Sequence, residues 1–489
     1  MTRFLFPLAL VAALSSCGPG GDQGPVNVAI FGEGEALFQP GLRLSTAGQH
    51  LRAATNEGLV ALDPAGQVVP AIAERWIVTD DGLSYIFRLR DSNWPDGEEI
   101  TAADVRVQLQ TAISRLDGTS LGLDLTKVVE VRAMTGRVVE VRLSSPMPDF
   151  LRLLAQPELG FVKDGSGAGP MVVSRDEESD VARLTALPPE QRGLPANEDW
   201  EEVARGITVR AMSGQSAVDA FTSGEIDLLL NGRIETFPLA QLGPLSRGTV
   251  QVDPALGLFG FVVRTDRGVL ETARNREALS MAIDRSELIQ PFGLGGWQAS
   301  TWTVPRDLFA PQTYPETRWS NLSVEARIAQ ARERILAWEQ ANGEDAEITI
   351  GLPDGPGAVL LFRQLSQAWQ AIGLTVRRLP PGQGADLELR DRLARYSSPR
   401  WYLNQFNCSL EIGLCSAQAD ELVRQSLTVR DPQEKQALLA QAHAELVQAE
   451  VFIPLGAPVR WSLVRGAVDG YRANQWGVHP LFPLSQPAT

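Results

Sequence analysis

The chain has 489 residues, of which 44% are hydrophobic and 21% charged, and it carries a formal net charge of −15. That length exceeds one ordinary core and predicts two or more lobes, while the hydrophobic content excludes a disordered chain. The acidic balance argues against nucleic acid as a partner, since nucleic acid rewards clustered Lys and Arg through counterion release. Lysine occurs only at Lys127, Lys163 and Lys435, so nearly every cation is an arginine.

Arg3 and the apolar run Phe4 to Leu14, shorter than the about 20 residues of a spanning helix, predict a signal peptide over residues 1–16. Leu14-Ser15-Ser16-Cys17-Gly18 resembles a bacterial lipobox, which implies lipidation of Cys17, with residues 17–26 as a Gly/Pro-rich tether. An ordinary signal peptide with an incidental cysteine is the alternative. No later apolar run is long enough to span a bilayer, so membrane association is expected through the N-terminal lipid alone.

Val26 to Ile30 reads as a first strand and Leu51 to Leu62 as a short helix. Asp63-Pro64-Ala65-Gly66 has the residues of a type I turn, and Pro70 is placed to open a short helix through Trp76. Thr79-Asp80-Asp81-Gly82 turns the chain again, and Leu83, Tyr85, Phe87 and Leu89 alternate with Ser84, Ile86, Arg88 and Arg90 at the period of a strand. Thr101 with Asp104 three residues on predicts a capping box, followed by a helix carrying Val105, Leu109, Ala112 and Leu116 at helical spacing. Val128 to Leu143 reads as two strands around a Thr135-Gly136 turn.

Gly165 to Pro170 invites a phosphate-loop reading but lacks the Lys-Ser/Thr of a Walker motif. Val209 to Leu230 predicts strand, helix, a stop at Gly224 and strand. Phe259 to Arg264 reads as a strand, Arg274 to Ile283 as a helix, and Ser323 as the cap of a long helix. Glu347 to Leu379 is a strand–helix–strand unit long enough for a parallel crossover, and Ala385 to Leu389 is another candidate strand. A helix over Pro432 to Gln448 precedes two strands, Val451 to Gly456 and Val459 to Val464.

The stretch Glu57 to Val105, EGLVALDPAGQVVPAIAERWIVTDDGLSYIFRLRDSNWPDGEEITAADV, resembles the signature region of the extracellular solute-binding proteins of family 5, which serve peptide and nickel ABC importers. The segments GSGAGP, AVDAFTSGEIDLLL, REALSMAIDRSELI and the closing GYRANQWGVHPL are similar to that family too, so the resemblance covers essentially the whole mature chain. It implies an α/β, two-lobed periplasmic-binding-protein fold of type II, in the large cluster with an extra subdomain in the first lobe and a hinge between the lobes. On that basis lobe I is expected over residues 27–257 and 462–489, with an inserted subdomain at about 60–160, and lobe II over 258–461. The implied function is an exported lipoprotein on the periplasmic side that captures a small-molecule or peptide ligand and delivers it to ABC permease subunits, acting as a monomer without a cofactor. Nickel chelates, opines or sugars as ligands, or a sensing receptor without transport, remain open.

Catalytic residues are scarce. The histidines are His50, His443 and His479 only, none at metal-ligand spacing, and no Gly-x-Ser-x-Gly elbow occurs, so a metal-dependent hydrolase is the weaker alternative and no metal site is expected. In an exported protein the close pair Cys408 and Cys415 predicts a disulfide loop, which the family resemblance supports, with free thiols as the alternative. Asn56 and Glu57 sit where the family lines its cleft, with a structural role for Glu57 as the alternative. In Arg390 to Cys408, RDRLARYSSPRWYLNQFNC, Arg395 falls where the family's segment, like "GADYPDPDNFL", has an aspartate for the ligand ammonium, and Arg264 falls where an asparagine is usual. An arginine fork matches a carboxylate or phosphate and repels an amine. An anionic or carboxylate-anchored ligand is therefore expected, with Trp401 and Tyr402 offering apolar contact and Asn404 a polar one. The alternative keeps Arg395 and Arg400 on the surface and Trp401 in the core.

Overall fold

The computed structural model describes residues 24–240, 248–310, 317–466 and 468–486. The expected signal peptide and Cys17 lie outside the described residues. Two sheets organise the rest. The first has seven strands in the spatial order Met171–Asp176, Val181–Ala186, Ile207–Met212, Val26–Phe31, Leu228–Gly232, Trp461–Val464 and Val250–Val252. Its centre is parallel, Val26–Phe31 lying between Ile207–Met212 and Leu228–Gly232, and Ala29, Ile30, Val209, Leu228, Leu229 and Leu230 are essentially inaccessible. Such near-continuous apolar runs mark strands covered on both faces.

The second sheet has five strands in the order Thr375–Leu379, Glu347–Gly351, Leu387–Leu393, Gly257–Val263 and Phe452–Gly456. The parallel pair Glu347–Gly351 and Thr375–Leu379 is joined by the helix Pro356–Gln370, the crossover that parallel pairing needs. The chain passes from the first sheet to the second through residues 253–256 and returns through 457–460. The Asp253 amide donates to Arg460 O at 2.9 Å, so the two crossings are bound side by side.

A third, four-stranded antiparallel sheet (Ala73–Val78, Ser84–Leu89, Val138–Leu143, Val128–Met134) makes the subdomain. Its wiring follows local chemistry. The Gly66 amide donates to Asp63 O at 2.8 Å with Gly66 at φ +73°, and the Gly82 amide donates to Thr79 O at 2.8 Å. The capping box forms: Thr101 Oγ1 accepts from the Asp104 amide at 3.2 Å and Asp104 Oδ2 accepts from the Thr101 amide at 2.9 Å, opening the helix Ala102–Arg115. Tyr85, Phe87 and Leu89 point inward and are all but inaccessible.

Two expected helices are replaced. Ala71 to Trp76 is not helical: Ala73–Val78 is a strand paired with Ser84–Leu89, which leaves Ile77 65% exposed at an edge. The helix expected over Leu51 to Leu62 runs instead over Thr46–Thr55, because the Ser45 hydroxyl accepts from the Gly48 amide at 3.0 Å and starts it earlier. Val60–Leu62 pairs as a strand with Val68–Pro70.

The subdomain does not keep its core to itself. Phe87, Val105, Val141 and Phe150 belong to one buried apolar cluster with Trp401, Tyr402, Phe406, Leu439 and Leu446 of the second lobe. The subdomain and the second lobe therefore share one apolar core.

Candidate binding site

A cavity of about 770 Å³ lies between the lobes. Its wall takes residues from the Thr46–Thr55 helix and the turn after it, the subdomain (Arg90, Ser120, Arg152), the strand Leu387–Leu393 and the residues beyond it, and the returning crossing and C-terminal segment (Arg460, Trp476, His479).

Asn56 and Glu57 are part of this wall, clamped by backbone bonds: the Gly169 amide donates to Thr55 O at 2.8 Å and the Phe161 amide to Glu57 O at 3.0 Å. Gly160, Gly167 and Gly169 exist for this approach. A Cβ at Gly160 would stand 2.0 Å from Asn56 O, and one at Gly167 2.1 Å from Thr55 O. The Gly165 to Pro170 run therefore presses backbone against backbone. Burial pushes the Glu57 carboxyl up to about 7, against the opposing pull of Arg90 and Arg192.

Arg395 and Trp401 also line the cavity. Arg395 Nη1 donates to Ser120 Oγ at 3.2 Å and stands 3.6 Å from Asp124 Oδ2. Trp401 is 1% exposed, packs edge-on against Tyr402 at 4.8 Å, and among the described residues its indole N–H has no acceptor. It is both core and wall.

Three expected residues lie elsewhere. Arg264 is exposed and outside the cavity lining. The strand Gly257–Val263 leaves the crossing at its Gly257 end, and seven residues at about 3.3 Å each carry Arg264 roughly 20 Å away. Tyr402 faces a second, smaller cavity of about 560 Å³ beside the crossings. Asn404 is buried and donates to Asp124 Oδ1 at 2.8 Å, so it is occupied in holding the lobes together. The Tyr396 hydroxyl reaches the same oxygen at 2.9 Å, and Arg400, 3% exposed, donates to Asp124 O at 3.1 Å and Thr126 Oγ1 at 2.9 Å. Asp124, fully buried on the subdomain helix Ser120–Leu125, is thus grasped by four side chains of the second lobe: Arg395, Tyr396, Arg400 and Asn404. A disulfide joins Cys408 to Cys415, with Cα atoms 5.3 Å apart.

Most of the cavity's charge escapes sequence reasoning. Arg90, Arg152, Arg192, Arg233, Arg390, Arg392 and Arg460 join Arg395 in the lining, facing Glu57, Asp63, Glu235 and Asp391. Arg460 and Asp391 satisfy each other through a two-point pair at 2.8 and 2.9 Å, both side chains nearly inaccessible. Arg152 lies over the Trp476 ring at 4.0 Å. Burial and the repulsion of Arg392 and Arg395 press the Arg390 guanidinium down, and burial with repulsion from Arg460 does the same to Arg233. Only Arg390-Asp391-Arg392, charges within a strand, hinted at this in the sequence; the others are spread over some 370 positions with no shared motif.

Two hinged lobes, a polar cavity between them and a carboxylate clasped across the closing faces make a clamp. Among the described residues, no group of three or more His, Cys, Asp or Glu side chains is placed to hold a metal ion. The family model of the bacterial extracellular solute-binding proteins, family 5, matches residues 67–407. The chain belongs to that family. The periplasmic oligopeptide-binding protein of Escherichia coli K12 is 26% identical over 466 residues, covering 85% of this chain and 84% of its own. The oligopeptide-binding protein of Haemophilus influenzae, solved with the peptide RPPGFSPFR, superposes with a TM-score of 0.79 at 18% identity over 94% of this chain and 98% of its own. The murein tripeptide binding protein of Escherichia coli superposes at 0.78, also at 18% identity, over 94% and 98%. The fold is accordingly the two-lobed α/β architecture of this family, whose members are transport binding proteins.

Proposed function

We propose that this protein is the extracytoplasmic substrate-binding subunit of an ABC importer, anchored by lipid on Cys17. It captures a peptide or peptide-like solute bearing a carboxylate between its lobes and presents it to the permease. The peptide class is supported by the relatives' names, and the closing motion by the fold: a ligand that touches both walls stabilises the closed state because only that state offers both sets of contacts. The observation that carries the carboxylate is Arg395, a guanidinium on the cavity wall where the resembling segment offers a carboxylate to an ammonium group.

Calorimetric titration of the full chain with a tripeptide, its N-acetyl form and its C-terminal amide tests this. Acetylation is expected to leave affinity within about threefold, and amidation to weaken it about tenfold or more, the loss of one charge-assisted bond. Binding that requires the free amine and tolerates the amide would sink the proposal.

A further inference from the structure

The wall formed by Leu387–Leu393 and the residues after it holds more positive charge than one carboxylate can answer. Arg390 and Arg392 are two apart on a strand, so they share a face about 7 Å apart, and Arg395 follows where the strand has ended. Asp391, between them, lines the cavity too but is neutralised by Arg460 in a two-point pair. Among the described residues Arg390 is met only by the neutral Gln405, at 3.5 Å, and its Nε has no acceptor. Arg392 is exposed to the cavity. Arg395 alone has a carboxylate, Asp124, behind it. Three guanidiniums against one carboxylate leave this wall two positive charges in excess, and the unpartnered Trp401 indole N–H adds a donor at the same wall. Guanidinium groups remain charged at neutral pH, and each fork is satisfied by two oxygens.

We infer that the face of Arg390, Arg392 and Arg395 is the seat of a dianionic group, either a phosphate or two carboxylates on one short chain. This rests on the reading of the cavity as the solute site and narrows its solute to one carrying at least two negative charges at one end. A single carboxylate engages one fork and leaves a second guanidinium of this wall without an anion.

The test is titration of the full chain with four probes: butyrate, glutarate, N-acetylphosphoserine amide and N-acetyl-trialanine amide. One dianion is expected to bind at least about tenfold more tightly than butyrate, and the neutral peptide more weakly than that dianion. Preference for glutarate assigns the paired carboxylates, and preference for the phosphoserine compound assigns the phosphate. Arg392→Gln, at an exposed position that folding tolerates, and Arg390→Gln are both expected to bring the dianion-to-butyrate ratio within about threefold. Arg377→Gln, paired with Glu347 outside the cavity lining, leaves the ratio unchanged. The inference is overturned if neither dianion exceeds butyrate, if no dianion binds below about 10 mM, or if the ratio survives both cavity substitutions. Should carboxylate-bearing peptides bind as proposed above while dianions gain nothing over butyrate, this inference falls alone; should peptides and anions all fail to bind, the solute-site reading falls with it.

Discussion

Asp124 offers the sharpest test of how the lobes are held together. Its carboxylate is fully buried, accepts from the Tyr396 hydroxyl and Asn404 Nδ2 through Oδ1, and faces Arg395 through Oδ2 at 3.6 Å. Burial pushes this carboxyl upward, an effect that Arg395 and Arg400 oppose without cancelling. The two guanidiniums and the two hydrogen-bond donors hold the carboxylate together against the cost of its burial. Asp124→Asn keeps one acceptor oxygen for Tyr396 and Asn404, loses the charge facing Arg395, and is expected to cost about 1–2 kcal/mol. Asp124→Ala strands three donors in a buried interface and leaves a void, for about 3–5 kcal/mol. At roughly 2 °C per kcal/mol for a unit of this size, the melting temperature in scanning calorimetry should fall by roughly 2–4 °C and 6–10 °C respectively. Amide exchange over residues 399–405 should accelerate in the same order. Equal losses from the two substitutions would mean that the charge dominates, and a melting temperature within about 1 °C of wild type for Asp124→Ala would refute the clasp altogether.

Other outcomes follow from single sites. Glu57 holds its proton up to about 7 in the fold, against 4.5 unfolded, so folding takes up a proton between those values and stability falls as pH rises through that window. Glu57→Gln should remove this fall from the urea-unfolding profile, leaving the rise between about 4 and 6.5 contributed by His50 and His443, which burial lowers, and a fall up to about 8 from Glu450, which burial raises. Removing the Cys408–Cys415 bridge with a double serine substitution should cost about 2.5 kcal/mol, the closure entropy of so short a loop, read as a lower urea midpoint; an unchanged midpoint would remove its structural role. Arg395→Asp should turn the wild type's indifference to N-acetylation into preference for free-amine peptides in competition titration. No change of preference would place the solute away from residue 395.

Local signals were readable where chemistry closes within a few residues. The Asp63 and Thr79 turns, the Thr101 box and the buried alternation Tyr85, Phe87, Leu89 all stand where the sequence places them. Pro70 misled because a proline that can open a helix also tolerates the end of an edge strand, and the pairing of Ala73–Val78 with Ser84–Leu89 decided between them. The Ser45 cap starts the helix leading to Asn56 several residues before the position that apolar spacing suggests. Arg395 and Trp401 reached the cavity through the family resemblance, whereas Arg264 failed because resemblance aligns positions along a strand without saying which end faces the crossing. The arginines from Arg90 to Arg460 converge only through topology, and Asp124, inside an unremarked SLGLDL helix, gave no sign of the second lobe it grips.

The most direct measurement is small-angle scattering of the full chain freed of solute and then returned to the solute recovered from it, with mass spectrometry of that solute before and after. A clamp predicts a smaller radius of gyration on return and a solute that leaves chemically unchanged. An identical radius in both states, or a solute converted into a product, would contradict the account.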